Sequence, residues 1–217
     1  MGSEGPKAVT IHVTGFKKFQ GVAENPTETI VNNLMNVVQR KKSLPAGVTL
    51  GSCTVLETAG NGALPMLYKV LESGISGINT KNEQVIWLHL GVNSGAQKFA
   101  LEKQAVNEAT FRCPDELGWQ PQQLPVVAED GGTYRKRETT CSIEAILKFL
   151  KNMGYDVRIS DDAGRFVCNY VYYHSLRFAE QKGHKSLFVH VPIFSKINEE
   201  TQMQFAASLL EAIASTC

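Results

Sequence analysis

The sequence has no apolar run approaching the ~20 residues that cross a bilayer as a helix. Its start, Met1-Gly-Ser-Glu-Gly-Pro6, has no apolar core of the kind a secretory signal carries. Pro6 stands where a myristoylation signal has Ser or Thr, so myristoylation is not expected. An excess of either charge is missing too. Twenty-two basic residues against 21 acidic ones leave a formal net charge of +1, no footprint for nucleic acid or an anionic membrane. Cysteine is sparse: the five (Cys53, Cys113, Cys141, Cys168, Cys217) are odd in number and form no CxxC pair. That argues against a disulfide frame or a zinc site and for reduced thiols in a cytoplasmic protein. With no internal repeat, low-complexity tract or linker, the 217 residues are expected to form one domain, 1–217, with 1–7 flexible. A chain of that size buries a core without staples.

What is there alternates between two periods. Ala8–Thr14, Val48–Leu56, Gln84–Leu90, Tyr155–Ile159 and Leu187–Pro192 read as strands. The run Gln84–Leu90 is apolar throughout, so both its faces are expected to be covered by helices. Helices are expected after Asn25 (cap) and Pro26 (first position), closing on Arg40-Lys-Lys42 at the negative end. Others follow the Gly60-Asn-Gly62 turn, run through Ile143, Ile146, Leu147 and Leu150 to Gly154, and start at Asn198-Glu-Glu200. Residues 96–140 are the least regular stretch, and a span of that kind is more often functional than filler. The order predicts an α/β three-layer sandwich around a mostly parallel mixed sheet, with active residues at the carboxyl ends of strands.

One stretch combines a turn, a cysteine and a helix start. Ser160-Asp-Asp-Ala-Gly164 ends a strand, and Val167, Val171, Tyr172, Ser175 and Phe178 then recur at helical spacing. Cys168 therefore sits in the first helical turn, where the positive end of the helix dipole favours thiolate over thiol. Further on, His190 closes a strand. A cysteine at a helix start and a histidine at a strand end are two parts of a cysteine acyl-transfer site. Equally, Cys168 lies on the apolar stripe, where cysteines are commonly inert core, and a histidine in a buried strand is commonly structural. Spacing alone leaves both readings standing. The turn Gly91-Val-Asn-Ser-Gly95 is a weak candidate phosphate seat, since no Walker lysine follows it.

Four separated segments resemble one family, the type I pyroglutamyl (pyrrolidone-carboxylate) peptidases, which are cysteine peptidases. Val13-Thr-Gly-Phe-Lys-Lys-Phe-Gln-Gly21 with Asn25-Pro26 is similar to that family's VTGFxPFGG…NP. Leu101-Glu-Lys-Gln-Ala-Val-Asn107 with Arg112 and Pro114-Asp115 is similar to its ERxAxN…RxPD stretch. Ala163-Gly-Arg-Phe-Val-Cys-Asn169 resembles its AGxxxCN motif, and Phe188-Val-His-Val-Pro192 its (F/I)HVP motif. The segments keep the family's order and span residues 13 to 192.

The resemblance implies a triad: Cys168 as nucleophile, His190 as base and Glu102 as the acid that orients the imidazole. It implies that Phe16, Phe19, Phe166 and Val167 line the pocket for the pyrrolidone ring. Val92 matches a position whose backbone hydrogen-bonds the lactam, and Arg112 an arginine near the catalytic groups. The implied substrates are peptides with an amino-terminal pyroglutamate, cleaved without metal or organic cofactor. Neither nucleic acid nor membrane is an implied partner, and assembly into homo-oligomers is left open. Two departures, Lys18 for proline and Gln20 for glycine, put the stiffness of the aromatic loop in question. Arg165, inside the nucleophile motif, is expected to face solvent; His12, His89, His174 and His184 are read as structural or surface residues. Two other functions remain: a silent peptide-binding homologue, and a nucleoside phosphorylase-like enzyme on a similar fold.

Overall fold

The computed structural model describes residues 8–41, 44–78 and 82–216. The expected flexibility of residues 1–7, and the calls on Lys42 and Cys217, lie outside the described residues. In chain order the elements are β1 (Ala8–Phe16), α1 (Pro26–Lys41), β2 (Val48–Leu56), α2 (Gly60–Ile75), β3 (Glu83–Val92), β4 (Phe99–Glu102) and β5 (Gln104–Val106). There follow β6 (Lys136–Glu138), α3 (Ile143–Asn152), β7 (Val157–Ser160), α4 (Val167–Lys182), β8 (Lys185–Val191) and α5 (Glu199–Thr216).

Six strands form one sheet in the order β2-β1-β3-β8-β4-β7. The first four run parallel; β4 and β7 are parallel to each other and antiparallel to β8. The sheet is thus the expected mostly parallel mixed one. Its two faces follow from the period-2 alternation of strands. On β3, Ile86, Leu88 and Leu90 pack into one core with α1, α3 and α5, while Val85 and Trp87 pack into another with α2 and α4. The apolar run on β3 is apolar because both sides are covered.

Local chemistry caps two of the five helices among the described residues, α1 and α5. Asn25 Oδ1 accepts the Thr27 N–H at 3.0 Å to open α1, and Asn198 Oδ1 accepts the Thr201 N–H at 2.9 Å to open α5. At α2 the expectation is corrected: Gly60-Asn-Gly62 is not a turn before the helix but its first turn. The cap comes from far along the chain, where the Asp115 carboxylate accepts the Gly60 N–H at 2.9 Å. A side chain on Gly60 would collide with the Trp119 ring. The strand expected at Tyr155–Ile159 starts two residues later, at Val157.

The irregular stretch contains structure of its own. After Glu102 the chain leaves the main sheet, and β5 pairs antiparallel with β6. Asn107 holds the loop beyond it: its Oδ1 accepts the Val127 N–H at 2.8 Å and its Nδ2 donates to the Val127 and Gly131 carbonyls. A buried asparagine so fully bonded is what lets a loop without periodicity stay ordered.

Candidate active site

Cys168 is the second residue of α4, whose N-cap is Phe166 and has no capping side chain. The first intrahelical donation is from the Tyr170 N–H to the Phe166 carbonyl at 3.1 Å. The amides of Val167, Cys168 and Asn169 therefore lie in the first helical turn, where no intrahelical carbonyl is available to them. Asn169 anchors that turn: its Nδ2 donates to the Val106 carbonyl and its Oδ1 accepts the Val106 N–H, both at 2.8 Å. One turn on, the Tyr172 hydroxyl donates to the Glu102 carbonyl at 2.8 Å. The helix that carries the thiol is bolted to the strand that carries the carboxylate.

Strand register places the other two groups. Gly91 on β3 lies beside His190 on β8. A Cβ on Gly91 would stand 3.0 Å from the Cys168 Sγ and 2.6 Å from the Phe188 ring, so the sulfur sits directly over this pair of residues. Only glycine gives it that room. Ala100 on β4 is opposite His190 and Glu102 opposite Phe188, which makes Glu102 and His190 diagonal neighbours on one face of the sheet. His190 Nδ1 and Glu102 Oε1 are 2.8 Å apart and both residues are buried. The small Ala100 leaves the space for this diagonal reach.

Burial by itself would lower the His190 pKa. The negative charge of Cys168 and its hydrogen bonding, with the hydrogen bond and charge of Glu102, overcome it and raise the pKa to about 10. The imidazole is thus favoured in its protonated form. Glu102 Oε2 has no hydrogen-bond partner among the described residues.

All three face a cavity of about 390 Å³, a size suited to a small ligand, which Phe16, Phe19, Val92, Arg112, Phe166 and Val167 also line. The structure thus brings together every residue singled out from the sequence. Phe16 ends β1 and is buried, packed against Phe188 with ring centroids 6.3 Å apart; Phe166 packs on Phe111 at 4.6 Å. Arg165 turns to carboxylates instead of the thiol, pairing with Asp162 at 2.7 Å and Glu108 at 3.3 Å. Asn93 Oδ1 accepts the Gly95 N–H at 3.1 Å, folding the Gly91–Gly95 turn onto itself. Among the described residues no three His, Cys, Asp or Glu side chains are grouped so as to hold a metal ion.

A family model described as pyroglutamyl peptidase matches residues 9–214. The chain belongs to this family. It is 33% identical over 205 residues to a pyrrolidone-carboxylate peptidase of Enterococcus faecalis, covering 93% of this chain and 86% of that one. To the pyrrolidone-carboxylate peptidase of Pyrococcus furiosus it is 32% identical over 186 residues, covering 83% and 79%. Among solved structures, a mutant pyrrolidone carboxyl peptidase from P. furiosus superposes with a TM-score of 0.80 at 28% identity, over 95% of this chain and 98% of that one. The enzyme from Thermococcus litoralis gives 0.78 at 26% identity, over 95% and 93%. The protein is accordingly a peptidase of the pyroglutamyl-peptidase I type.

Against the family's aromatic loop, Lys18 and Gln20 are both exposed. The loop is held by its backbone instead. The Lys17 carbonyl accepts from Thr58 Oγ1 at 2.6 Å and Asn25 Nδ2 at 3.0 Å. Glu116 Oε1 accepts the Gln20 N–H at 2.8 Å, and Phe19 and Val22 bond each other's backbone. Neither Lys18 nor Gln20 needs the family's residue type to keep these contacts. Asn93 and Ser94 of the Gly91–Gly95 turn also line the cavity, as do three residues that sequence reasoning passed over, Thr58, Thr110 and Arg158. Of these only Arg158 had a visible signal: it alternates with Val157 and Ile159 on a short strand, and so shares a face with Ser160.

Proposed function

We propose that the protein removes an amino-terminal L-pyroglutamyl residue from peptides through a thioester on Cys168. The Cys168 thiolate attacks the scissile carbonyl, and the first-turn amides of α4 offer donors to the oxyanion that forms. The His190 imidazolium gives its proton to the departing amine as the carbon–nitrogen bond breaks. The imidazole then takes a proton from water, whose oxygen attacks the thioester and releases pyroglutamate and thiolate. Glu102, on Nδ1, holds the ring with its other nitrogen toward the sulfur and stabilises the imidazolium. No step calls for a metal or organic cofactor. The observation that carries this reading is the convergence of the 2.8 Å Glu102–His190 contact and the Cys168 sulfur above Gly91 in one aromatic-lined cavity.

Specificity has a physical source. Pyroglutamate is a neutral lactam, whereas an ordinary amino terminus carries an ammonium group. A pocket walled by Phe16, Phe19, Phe166 and Val167 desolvates that charge without a partner, a cost of several kcal/mol. The free thiols of Cys53, Cys113 and Cys168 support a reducing, cytoplasmic setting.

The test is kcat/KM on pyroglutamyl, prolyl, glutaminyl and glutamyl amides bearing one fluorogenic leaving group. Only the first should turn over well, with proline rejected by ~10⁴ or more because the lactam's partners are left unpaired. Comparable values for prolyl and pyroglutamyl amides would refute the pocket assignment. Cys168→Ala should abolish turnover while the fold persists.

A further inference from the structure

The charges around the cavity do not cancel. Asp162 pairs with Arg165 and Glu102 with His190. Arg112 and Arg158 line the same cavity and are exposed, and neither makes a hydrogen bond or ion pair with any described residue. The mouth therefore presents two guanidinium groups that no described residue neutralises.

Register and strand order give Arg158 a direction relative to the chemistry. Arg158 on β7 lies opposite Ala100 on β4, and Ala100 lies opposite His190 on β8. The three share one row and one face of the sheet, and at ~4.8 Å between strands the Arg158 and His190 backbones are ~10 Å apart. Ala100 is buried between them and the Glu102 side chain reaches across it to His190, while Arg158 lines the same cavity beyond. On the other side of His190 the sheet continues through β3 to β1, whose end carries Phe16. The ring pocket thus lies to one side of His190 and Arg158 to the other. In the proposed reaction His190 protonates the departing amine, so a substrate with its ring toward Phe16 sends its leaving peptide toward Arg158. At ~3.3 Å per residue in an extended peptide, a carboxylate one or two residues past the scissile bond comes within reach of that guanidinium.

We infer that Arg158 forms a subsite for a carboxylate on the leaving side. The preferred substrates are then short pyroglutamyl peptides with a free carboxyl terminus, or an acidic side chain, within two residues of the scissile bond. The inference rests on the proposed pyroglutamyl reaction. Arg112 adds its charge to the same field, but it comes from the loop after β5 and has no fixed place in this row.

Two matched pairs test the idea and separate the two sources of carboxylate. One is pyroglutamyl-alanine against pyroglutamyl-alaninamide; the other is pyroglutamyl-glutamyl-alaninamide against pyroglutamyl-glutaminyl-alaninamide. The wild-type kcat/KM ratio, acid over neutral, should be roughly fivefold in at least one pair at low ionic strength and shrink in 0.5 M salt, as for an exposed ion pair. Arg158→Gln should bring that ratio close to one, and Arg158→Glu should invert it, which a purely structural role would not do. Equal kcat/KM within both wild-type pairs overturns the subsite, as does a preference that survives in R158Q. Failure of the wild type to cleave pyroglutamyl-alaninamide at all is a different result: it removes the pyroglutamyl reading, and the subsite falls with it.

Discussion

Cys168, His190 and Glu102 come from a helix, a strand of the parallel half of the sheet and a strand of the antiparallel half, and each answers to a separate change. His190→Ala should slow acylation by roughly 10²–10⁴, the share of a positioned base. It should also slow alkylation by iodoacetamide near neutral pH, because the imidazolium partner is gone. Unaltered alkylation kinetics would separate His190 from Cys168. The raised His190 pKa fixes the sign of the pH profile. The imidazolium that the proposed reaction uses for amine departure is present through neutrality and lost as the pH climbs to about 10, so the basic limb of kcat/KM should fall there instead of near 6.5. Glu102→Gln removes the charge of one of the two groups that raise this pKa. Its basic limb should move toward neutrality while turnover drops, and a profile identical to wild type would demote Glu102 to a structural residue.

At the level of elements, α4 is the part that must not rotate. Asn169 ties its first turn to β5, Tyr172 its second to β4, and Ser175 its third to the sheet. Ser175 Oγ lies 2.7 Å from His89 Nε2 and 2.8 Å from the Ser186 hydroxyl, and His89 Nδ1 lies 2.7 Å from Thr14 Oγ1. This buried chain joins β1, β3, β8 and α4 behind the candidate site. Asn169→Ala leaves the Val106 amide and carbonyl and the Glu108 carbonyl without that partner, at a cost of about 2–4 kcal/mol. A urea titration should show the loss as a lower midpoint with an unchanged slope. A change under 0.5 kcal/mol would mean that the motif asparagine does not hold the helix in place.

Over the whole molecule, three histidines are neutral because they are buried. Burial lowers His12 and takes His89 to about 3. In His174, burial and Arg177 outweigh Asp130 and give about 4. Unfolded, each binds a proton near 6.5; folded, each resists doing so. Stability should therefore fall as the pH drops from about 6.5 toward 3, the window in which only the unfolded chain takes up those protons. His190 works in the opposite sense, its contribution complete below 6.5 and lost as the pH rises toward 10. Asp130 acts later. Burial opposes its ionisation, but hydrogen bonds from Arg137, Tyr173 and Arg177 hold it near 2, so its share persists above 3.8 and disappears as the pH falls toward 2. Melting temperatures from pH 7.5 to 3.5 should decline, and His174→Gln should flatten the decline. A flat wild-type profile in that range would contradict the burial of neutral imidazoles.

Much of this was legible in residue order, because strand and helix periods, caps and breakers act over a few positions. The β3 run covered on both faces, the Asn25 and Asn198 caps and the cysteine in a first helical turn all follow from local pattern. So did the candidate thiol and imidazole, which stand in recognisable motifs. Tertiary structure decided what long-range pairing controls. Glu102 reads locally as a surface acid, and it meets His190 only because β4 enters the sheet antiparallel between β8 and β7. The α2 cap is an aspartate far along the chain, so no neighbouring residue announced it. Arg158 stands in none of the motifs, and only register put it in the row of His190. Periodicity reports which way a side chain points; strand order and direction decide what stands there to meet it.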